Sequence, residues 1–332
     1  MTEQASARPT ESARIRQAEP VSIRSEVSAS TNGAEPPGTA SAAPVGTYSA
    51  ALARTQRPTV PGSTQRQAVP VLMYHAFTAA RTQEFHRWTL SADRLAAHLE
   101  YLSGAGYRSV TVSELTEWLH SDGTGPDDRL IALTFDDAYA DFHAVALPLL
   151  AKHRMTGTLF VPTGHVGGSC DWMCDEGEGD RPILSWTALA EVAASGIEIG
   201  AHSHTHPAMD RLSASELAEQ AARPKAELED RLGAPVTSFA YPYGRYGRRV
   251  RDAVAAAGYR AACTMNSWAA TPASPALELP RTPIFHYMDS ADLATALAAS
   301  RAPARRAVLR AKRAVESPTR LLRALGRRPE AA

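Results

Sequence analysis

An α/β fold built on a parallel sheet is the architecture this 332-residue sequence predicts. Three observations predict it. Short apolar runs, among them Leu130–Phe135 and Thr158–Val161, read as strands buried on both faces. Segments with apolar residues at helical spacing alternate with them across short connections, the pattern of repeated strand and helix units. The residues of greatest chemical interest follow directly on strand ends, where parallel sheets, open or closed into a barrel, gather their functional groups.

The elements follow in order. Residues 1–68 are dominated by Ala, Ser, Thr, Pro, Gln, Glu and Arg, with Tyr48 as their one aromatic residue. Such a stretch buries too little apolar surface to offset its ordering entropy and is read as a disordered extension. At Val69 the composition changes, and Val-Pro-Val-Leu-Met-Tyr-His75 reads as a buried strand ending in polar side chains. Ser91 opens a helix on which Leu95, Leu99 and Leu102 share a face and which Gly104 and Gly106 close. After the strand Leu130–Phe135, residues 139–153 have helical periodicity, and Thr158–Val161 resumes the sheet. Ser185 caps a helix running to about Ala194, and Gly196 stops it before a strand at 197–201. Ser213 and Glu216 form a capping box for a helix reaching Leu232, with Pro224 marking a kink. A strand at 236–240, a helix at 248–257 and a strand at 259–264 complete the series.

Composition excludes some functions. Basic and acidic residues balance at 35 each, so no global field favours nucleic acid as a partner. Three cysteines are too few for a disulfide scaffold, and Cys170 and Cys174 read as ordinary thiols. The N-terminus has no apolar core of a signal peptide, and no run is long enough to span a membrane, so the default expectation is a cytoplasmic or membrane-peripheral protein. Residues 291–332 form a basic tail, in which Arg305, Arg306, Arg310, Lys312 and Arg313 alternate with apolar residues. A solvated helix or a disordered extension is its default reading, and an amphipathic helix in peripheral contact with an anionic membrane is the alternative.

The chemistry lies in two clusters. Asp136 and Asp137 leave the end of Leu130–Phe135 as adjacent carboxylates, and consecutive residues leaving a strand point to different sides. One can then bind a metal while its neighbour faces a water molecule. By itself an Asp-Asp pair is more often a solvated turn. The second cluster, His202-Ser-His204-Thr-His206, follows the strand at 197–201 and holds three of the chain's eleven histidines. In a helical turn His202 and His206 converge on one ion; in an extended segment all three histidines share a face. Together, one Asp and two His make an open divalent site with room for water, which is the catalytic pattern.

Thr134-Phe135-Asp136-Asp137, then His202-Ser203-x-x-His206, then Ala240-Tyr241-Pro242-Tyr243-Gly244, each after an expected strand, resemble three ordered motifs of the polysaccharide deacetylases, the NodB-homology group or carbohydrate esterase family 4. The pattern is most similar to the exopolysaccharide and poly-N-acetylglucosamine deacetylases and covers roughly residues 69–290. The resemblance implies a distorted (β/α)7 barrel in which Asp137, His202 and His206 bind a divalent metal, Zn2+ first and Co2+ or Ni2+ as alternatives. It implies Asp136 as general base toward a metal-activated water that attacks an N-acetyl carbonyl, and Pro242 and Tyr243 as substrate-binding residues, the Tyr243 backbone N–H stabilising the oxyanion. The implied partner is an N-acetylated glycan.

The sequence departs from the family in places. Ala240 stands where the third motif begins with Arg, and Arg281 is a candidate to supply that charge from another strand, with an ordinary surface role as the alternative. The fourth motif has only an echo in Thr264-Met-Asn-Ser-Trp268. For the general acid, His75, which closes the first strand, is favoured over His286. Trp172 and Trp186 lie in or beside the long 163–185 connection, where aromatic rings stack on sugars or, more often, pack into the core. Two alternatives to the deacetylase stand: a catalytically silent carbohydrate-binding protein on the same fold, and an esterase or amidase acting on another acyl group.

Overall fold

Eight parallel strands share one sheet in the computed structural model, which describes residues 68–121 and 129–302. The extension at 1–67 and the basic segment after residue 302 lie outside the described residues. The strands are β1 (Val71–Tyr74), β2 (Arg108–Val110), β3 (Leu130–Phe135), β4 (Thr158–Val161), β5 (Glu198–Ala201), β6 (Ser238–Ala240), β7 (Ala261–Cys263) and β8 (Thr282–Pro283). Seven follow the path β7-β6-β5-β4-β3-β1-β8, and β2 pairs with β3 off that path. The first half of β3 pairs with β2 and its last two residues with β4, so β2 and β4 succeed one another along the side of β3 opposite β1.

The two edges of the path approach each other through one segment. Leu279 donates its N–H to Ala262 O at 2.8 Å and accepts from Thr264 N at 2.8 Å, and five residues later Ile284 N donates to Met73 O at 2.9 Å. The sheet is therefore curled, in agreement with the distorted (β/α)7 barrel expected.

Side chains alternate across the strands, as the pleat requires. Leu72, Tyr74, Leu133, Phe135, Leu159 and Val161 face one way and pack with helical residues such as Leu95, Leu99 and Leu189. Val71, Leu130, Ala132, Phe160, Ala240 and Cys263 face the other way, into a second cluster that Leu115 and Leu119 complete. Gly200 sits where the sheet is tightest: a Cβ there would lie 2.6 Å from the Phe160 ring and from Ser238 Oγ.

The helices are α1 (Gln83–His86), α2 (Ala92–Gly104), α3 (Val112–His120), α4 (Leu147–Lys152), α5 (Trp186–Ala194), α6 (Ala214–Leu232), α7 (Arg248–Ala256) and α8 (Ser290–Arg301). Ser91, Ser185 and Ser213 accept from the backbone N–H three residues on, and Ser213 and Glu216 form the reciprocal capping box. The expected helix at 139–153 is divided: Phe142–Ala146 is a π-helical turn, and only then does α4 begin. Pro148 has no N–H and crowds the carbonyl four residues before it, which disfavours a regular helix there. Helix α6 continues through Pro224, which is buried. Elements α1, β2, α3 and β8 have no counterpart among the expected elements, whereas α8 covers the start of the 291–332 segment expected as a helical or disordered tail. Leu293 and Leu297 of α8 belong to the core, so folded structure extends beyond residue 290. Among the described residues no helix is long and apolar enough to cross a membrane.

Candidate active site

The period-2 series Leu130, Ala132, Thr134 on β3 continues to Asp136, whose N–H extends the ladder by donating to Tyr74 O at 3.0 Å. The strand then ends abruptly: Asp137 has φ 73° and Ala138 φ 54°, in the left-handed region that side chains with a Cβ seldom adopt. The turn separates the two carboxylates. Of six non-glycine residues with positive φ among those described, five lie in these loops: Asp137, Ala138, Ser203, His206 and Tyr243. Such backbone persists where its surroundings over-determine it, and it collects at functional sites.

The histidine segment is neither a helical turn nor an extended strand. Ser203 (φ 64°) and His206 (φ 55°) reverse the chain, and Ser203 Oγ accepts from His206 N at 2.9 Å. This brings His202 and His206 to a ring separation of 4.8 Å and sends His204 elsewhere, against Thr163 Oγ1 at 2.9 Å. Gln220 of α6 holds the turn by accepting from both His204 N and Thr205 N at 2.9 Å while donating to Thr205 Oγ1.

Asp137 Oδ1 lies 3.4 Å from His202 Nε2 and 3.2 Å from His206 Nε2, and one ligand atom from each residue falls within 4.8 Å of the others. All three side chains are buried. His202 Nδ1 lies 2.8 Å from Ala240 O, which can only accept, so Nδ1 carries a proton and Nε2 is the ring nitrogen turned to Asp137. Asp137 Oδ1 is buried with no hydrogen-bond partner. One carboxylate oxygen, itself the orphaned acceptor, and two imidazole nitrogens fit a divalent cation. Burial alone would raise the Asp137 carboxyl, but His206 and His202 hold it well below the usual carboxylate range.

Asp136 has different company. Its Oδ1 and Oδ2 accept from Arg281 at 2.6 and 2.7 Å, a bidentate pair with both residues buried. Arg281 is braced in turn by Thr264 O at 3.1 Å and Thr134 Oγ1 at 3.2 Å, and its guanidinium lies 5.6 Å from the Phe160 ring centre. The segment that bridges β7 to β8 thus delivers the cation missing at Ala240, and Thr264, at the head of the fourth-motif echo, helps to aim it. Burial works to raise the Asp136 carboxyl; Arg281 and then His202 outweigh it and keep the group below its ordinary value.

His75, immediately after β1, places Nε2 4.0 Å from Asp136 Oδ2, with its ring against Trp88 at 4.7 Å. Burial lowers its basicity, and Asp136 followed by Asp137 opposes that effect. His286 instead stacks on His86 at 4.1 Å and meets Tyr287. Of the two candidate acids, His75 is the one that faces the carboxylate.

Pro242 is buried at the start of a short turn closed by Gly244 N to Tyr241 O at 2.8 Å and Arg245 N to Pro242 O at 3.0 Å. Tyr243, at φ 57°, sets its half-exposed ring edge-on to His206 at 4.6 Å. Trp172, within the 163–185 connection, stacks on His206 at 4.7 Å. Trp186 lies away from these groups, on α5 under the Arg231 guanidinium. The 163–185 connection is locked by Glu178, which is fully buried and accepts from Arg81 N, Thr82 N and Arg181 Nε. Neither Trp88 nor Glu178 stood out in the sequence; each has its place through contacts across roughly a hundred residues or through a loop, with no local pattern.

Residues 123–262 match the family model described as polysaccharide deacetylase. The Bacillus subtilis protein YxkH is 27% identical over 203 residues, 61% of this chain and 66% of the relative, so the chain spans just under two thirds of that protein. The poly-beta-1,6-N-acetyl-D-glucosamine N-deacetylase of Staphylococcus aureus is 23% identical over 209 residues, 60% of this chain and 69% of the relative. Among solved structures, the Streptococcus pyogenes deacetylase PplD in complex with acetate aligns with a TM-score of 0.61 at 24% identity, covering 72% of this chain and 100% of that one, a likeness of fold.

Proposed function

We infer, from the polysaccharide deacetylase domain that this chain carries, that it is a hydrolase of carbon–nitrogen bonds releasing acetate from N-acetylated sugars of a glycan. The substrate class we propose is a β-1,6-linked N-acetylglucosamine polymer, on the likeness to the staphylococcal enzyme. The folded domain assigned to this activity begins near Val69.

One observation carries the reading: two adjacent carboxylates have been given opposite partners. Asp137 faces two imidazoles in a cation-type site, while Asp136 is clamped by Arg281 and faces His75 and His202 at 4.0 Å. We assign Asp137, His202 and His206 to a divalent metal, zinc being the ion that this donor set suits. A bound ion of this kind would supply Lewis acidity, making water more acidic and a carbonyl more electrophilic. Asp136, kept ionised and oriented by Arg281, is the general base that takes the proton of the attacking water. His75, whose Nε2 lies 4.0 Å from Asp136 Oδ2, is the acid that returns a proton to the amine as the C–N bond breaks. Pro242 presets the backbone at Tyr243, whose N–H and ring we assign to the acetyl group.

The silent carbohydrate-binding alternative rests on the Arg absent at Ala240 and on the two carboxylates absent from the fourth motif. The Arg281 clamp weighs against it, because a protein that only binds sugar has no use for a charge-oriented base. Purified protein supplied with Zn2+ or Co2+ should release acetate from β-1,6-linked N-acetylglucosamine oligomers, and Asp136→Asn should not. No acetate from N-acetylated glycans at full metal occupancy would refute the assignment.

A further inference from the structure

Three large apolar side chains are exposed among the described residues: Tyr243, Met265 and Tyr287. Tyr243 borders the metal-type site. Tyr287 is the most exposed of the three, at 58%, yet it is held in place. Phe285 lies nearly parallel to it at 5.9 Å and 18°, His286 meets its ring at 87°, and its carbonyl accepts from Arg94 at 2.8 Å. An aromatic ring kept rigid from beneath and left open above is shaped to receive a flat apolar face at little entropic cost.

The ring does not stand alone. Phe285 contacts Trp88 at 5.4 Å, and Trp88 contacts His75 at 4.7 Å, so a continuous aromatic ledge leads from the proposed acid out to Tyr287. Backbone pairing of His286 N with Arg87 O at 3.1 Å ties its two segments together. Its rim is polar: Arg87 lies over the Trp88 ring at 5.0 Å, and exposed His86 stacks on His286. Apolar faces bordered by hydrogen-bonding side chains suit a pyranose, which has an apolar face and hydroxyls around its edge.

The chemistry fixes which way the substrate lies. In amide hydrolysis the acetyl group leaves as acetate while the amine stays on the sugar. The group that protonates the amine must therefore stand on the sugar side of the scissile bond, and under the proposed function that group is His75. We propose that the ledge of Trp88, Phe285 and Tyr287 is an extended glycan subsite that binds the several sugar units following the one being deacetylated, so that the protein selects oligomers over short substrates. This rests on the proposed function for the orientation, and on the ring contacts for the ledge itself.

The test is binding of β-1,6-linked N-acetylglucosamine dimer and hexamer to the full chain loaded with zinc, with Asp136→Asn as the background to prevent turnover. Calorimetry gives affinity, and Trp88 offers a fluorescence signal. The hexamer is expected to bind more tightly than the dimer, and Tyr287→Ala should remove roughly tenfold of hexamer affinity, the value of one aromatic contact. Because Tyr287 is exposed, its loss should leave the melting temperature in place; Phe285→Ala provides a second ring deletion. Equal dimer and hexamer affinities, or a length preference that survives both deletions, would overturn the subsite. Acetate release is read separately on the otherwise unmodified protein. Release with no length preference in binding removes the ledge and leaves the deacetylase, whereas ledge-dependent binding without release keeps the ledge and removes the deacetylase.

Discussion

Arg281 and Asp136, 145 residues apart in sequence, meet in a fully buried bidentate pair with N–O distances of 2.6 and 2.7 Å. Adjacent Asp137 has no such cation. The pair explains how two neighbouring carboxylates can differ in role: one is turned by a left-handed backbone toward the imidazoles, and the other is fixed by a guanidinium fork whose geometry matches a carboxylate.

The cost of breaking that pair should exceed the cost of removing it. Arg281→Met leaves a buried carboxylate uncompensated and should destabilise the protein by about 3–5 kcal/mol. Combining it with Asp136→Leu should recover a good part of that loss, a non-additivity that urea unfolding of the four proteins in a double-mutant cycle measures. Arg281→Lys keeps the charge and loses the fork, so it should remain folded with a reduced kcat. Strictly additive stabilities would mean that the two side chains are not coupled.

Gln220 is expected to govern metal affinity without touching the metal. Its amide oxygen takes two consecutive backbone N–H groups of the turn that aims His206. Gln220→Ala should weaken zinc binding by roughly 10–100-fold, the usual effect of losing a group that orients a ligand. Chelator competition measures it, and Gln220→Glu, which keeps the acceptor, should lie nearer the parent. Zinc itself should raise the melting temperature of the parent and not that of His206→Ala, since an ion that binds only the folded chain stabilises it.

How much of this was legible in the sequence depends on the range of the interaction. Helices whose starts are written locally, such as the one capped by Ser213 and Glu216, could be read directly. Strands β2 and β8, of three and two residues, lacked a periodic signal long enough to notice. Asp136, Asp137, His202 and His206 stood out because their chemistry is concentrated in short motifs. The route by which the histidines converge did not, because it depends on left-handed Ser203 and His206 held by Gln220 of α6. Arg281 could be named for that charge only alongside an ordinary surface role, since its partner is set by how the chain closes between β7 and β1.

Glu178 should prove to be the fastening of the connection that carries Trp172. It is fully buried and accepts from Arg181 at 2.6 Å and from Thr82 N at 2.9 Å, as well as from Arg81 N. Glu178→Ala should cost about 3–5 kcal/mol, because it strands a buried guanidinium. Limited proteolysis should then cut within 163–185 before the rest of the chain. Unchanged stability together with unchanged cleavage would remove Glu178 from this role.

His98 should make stability depend on mildly acid pH. It is fully buried between Tyr74 and Met288, with Nε2 3.0 Å from Met288 O and Nδ1 3.4 Å from the Tyr74 hydroxyl. The carbonyl can only accept, so Nε2 carries the proton and Nδ1 accepts from the tyrosine. Burial lowers its pKa from the ordinary 6.5, against the pull of the Met288 carbonyl. The unfolded chain then binds the proton more readily than the folded one. The contribution of neutral His98 is complete above the unfolded value of about 6.5 and is lost as pH falls from there toward the depressed folded value, with a slope of at most ~1.4 kcal/mol per pH unit. His75, His204 and His206 have lowered values as well and add to the same trend, so the comparison must be with a variant. His98→Gln keeps a donor toward Met288 and cannot titrate. Urea midpoints of the parent should drop more steeply than those of His98→Gln between neutral pH and about pH 5. Parallel pH profiles for the two proteins would show that His98 does not couple folding to protonation.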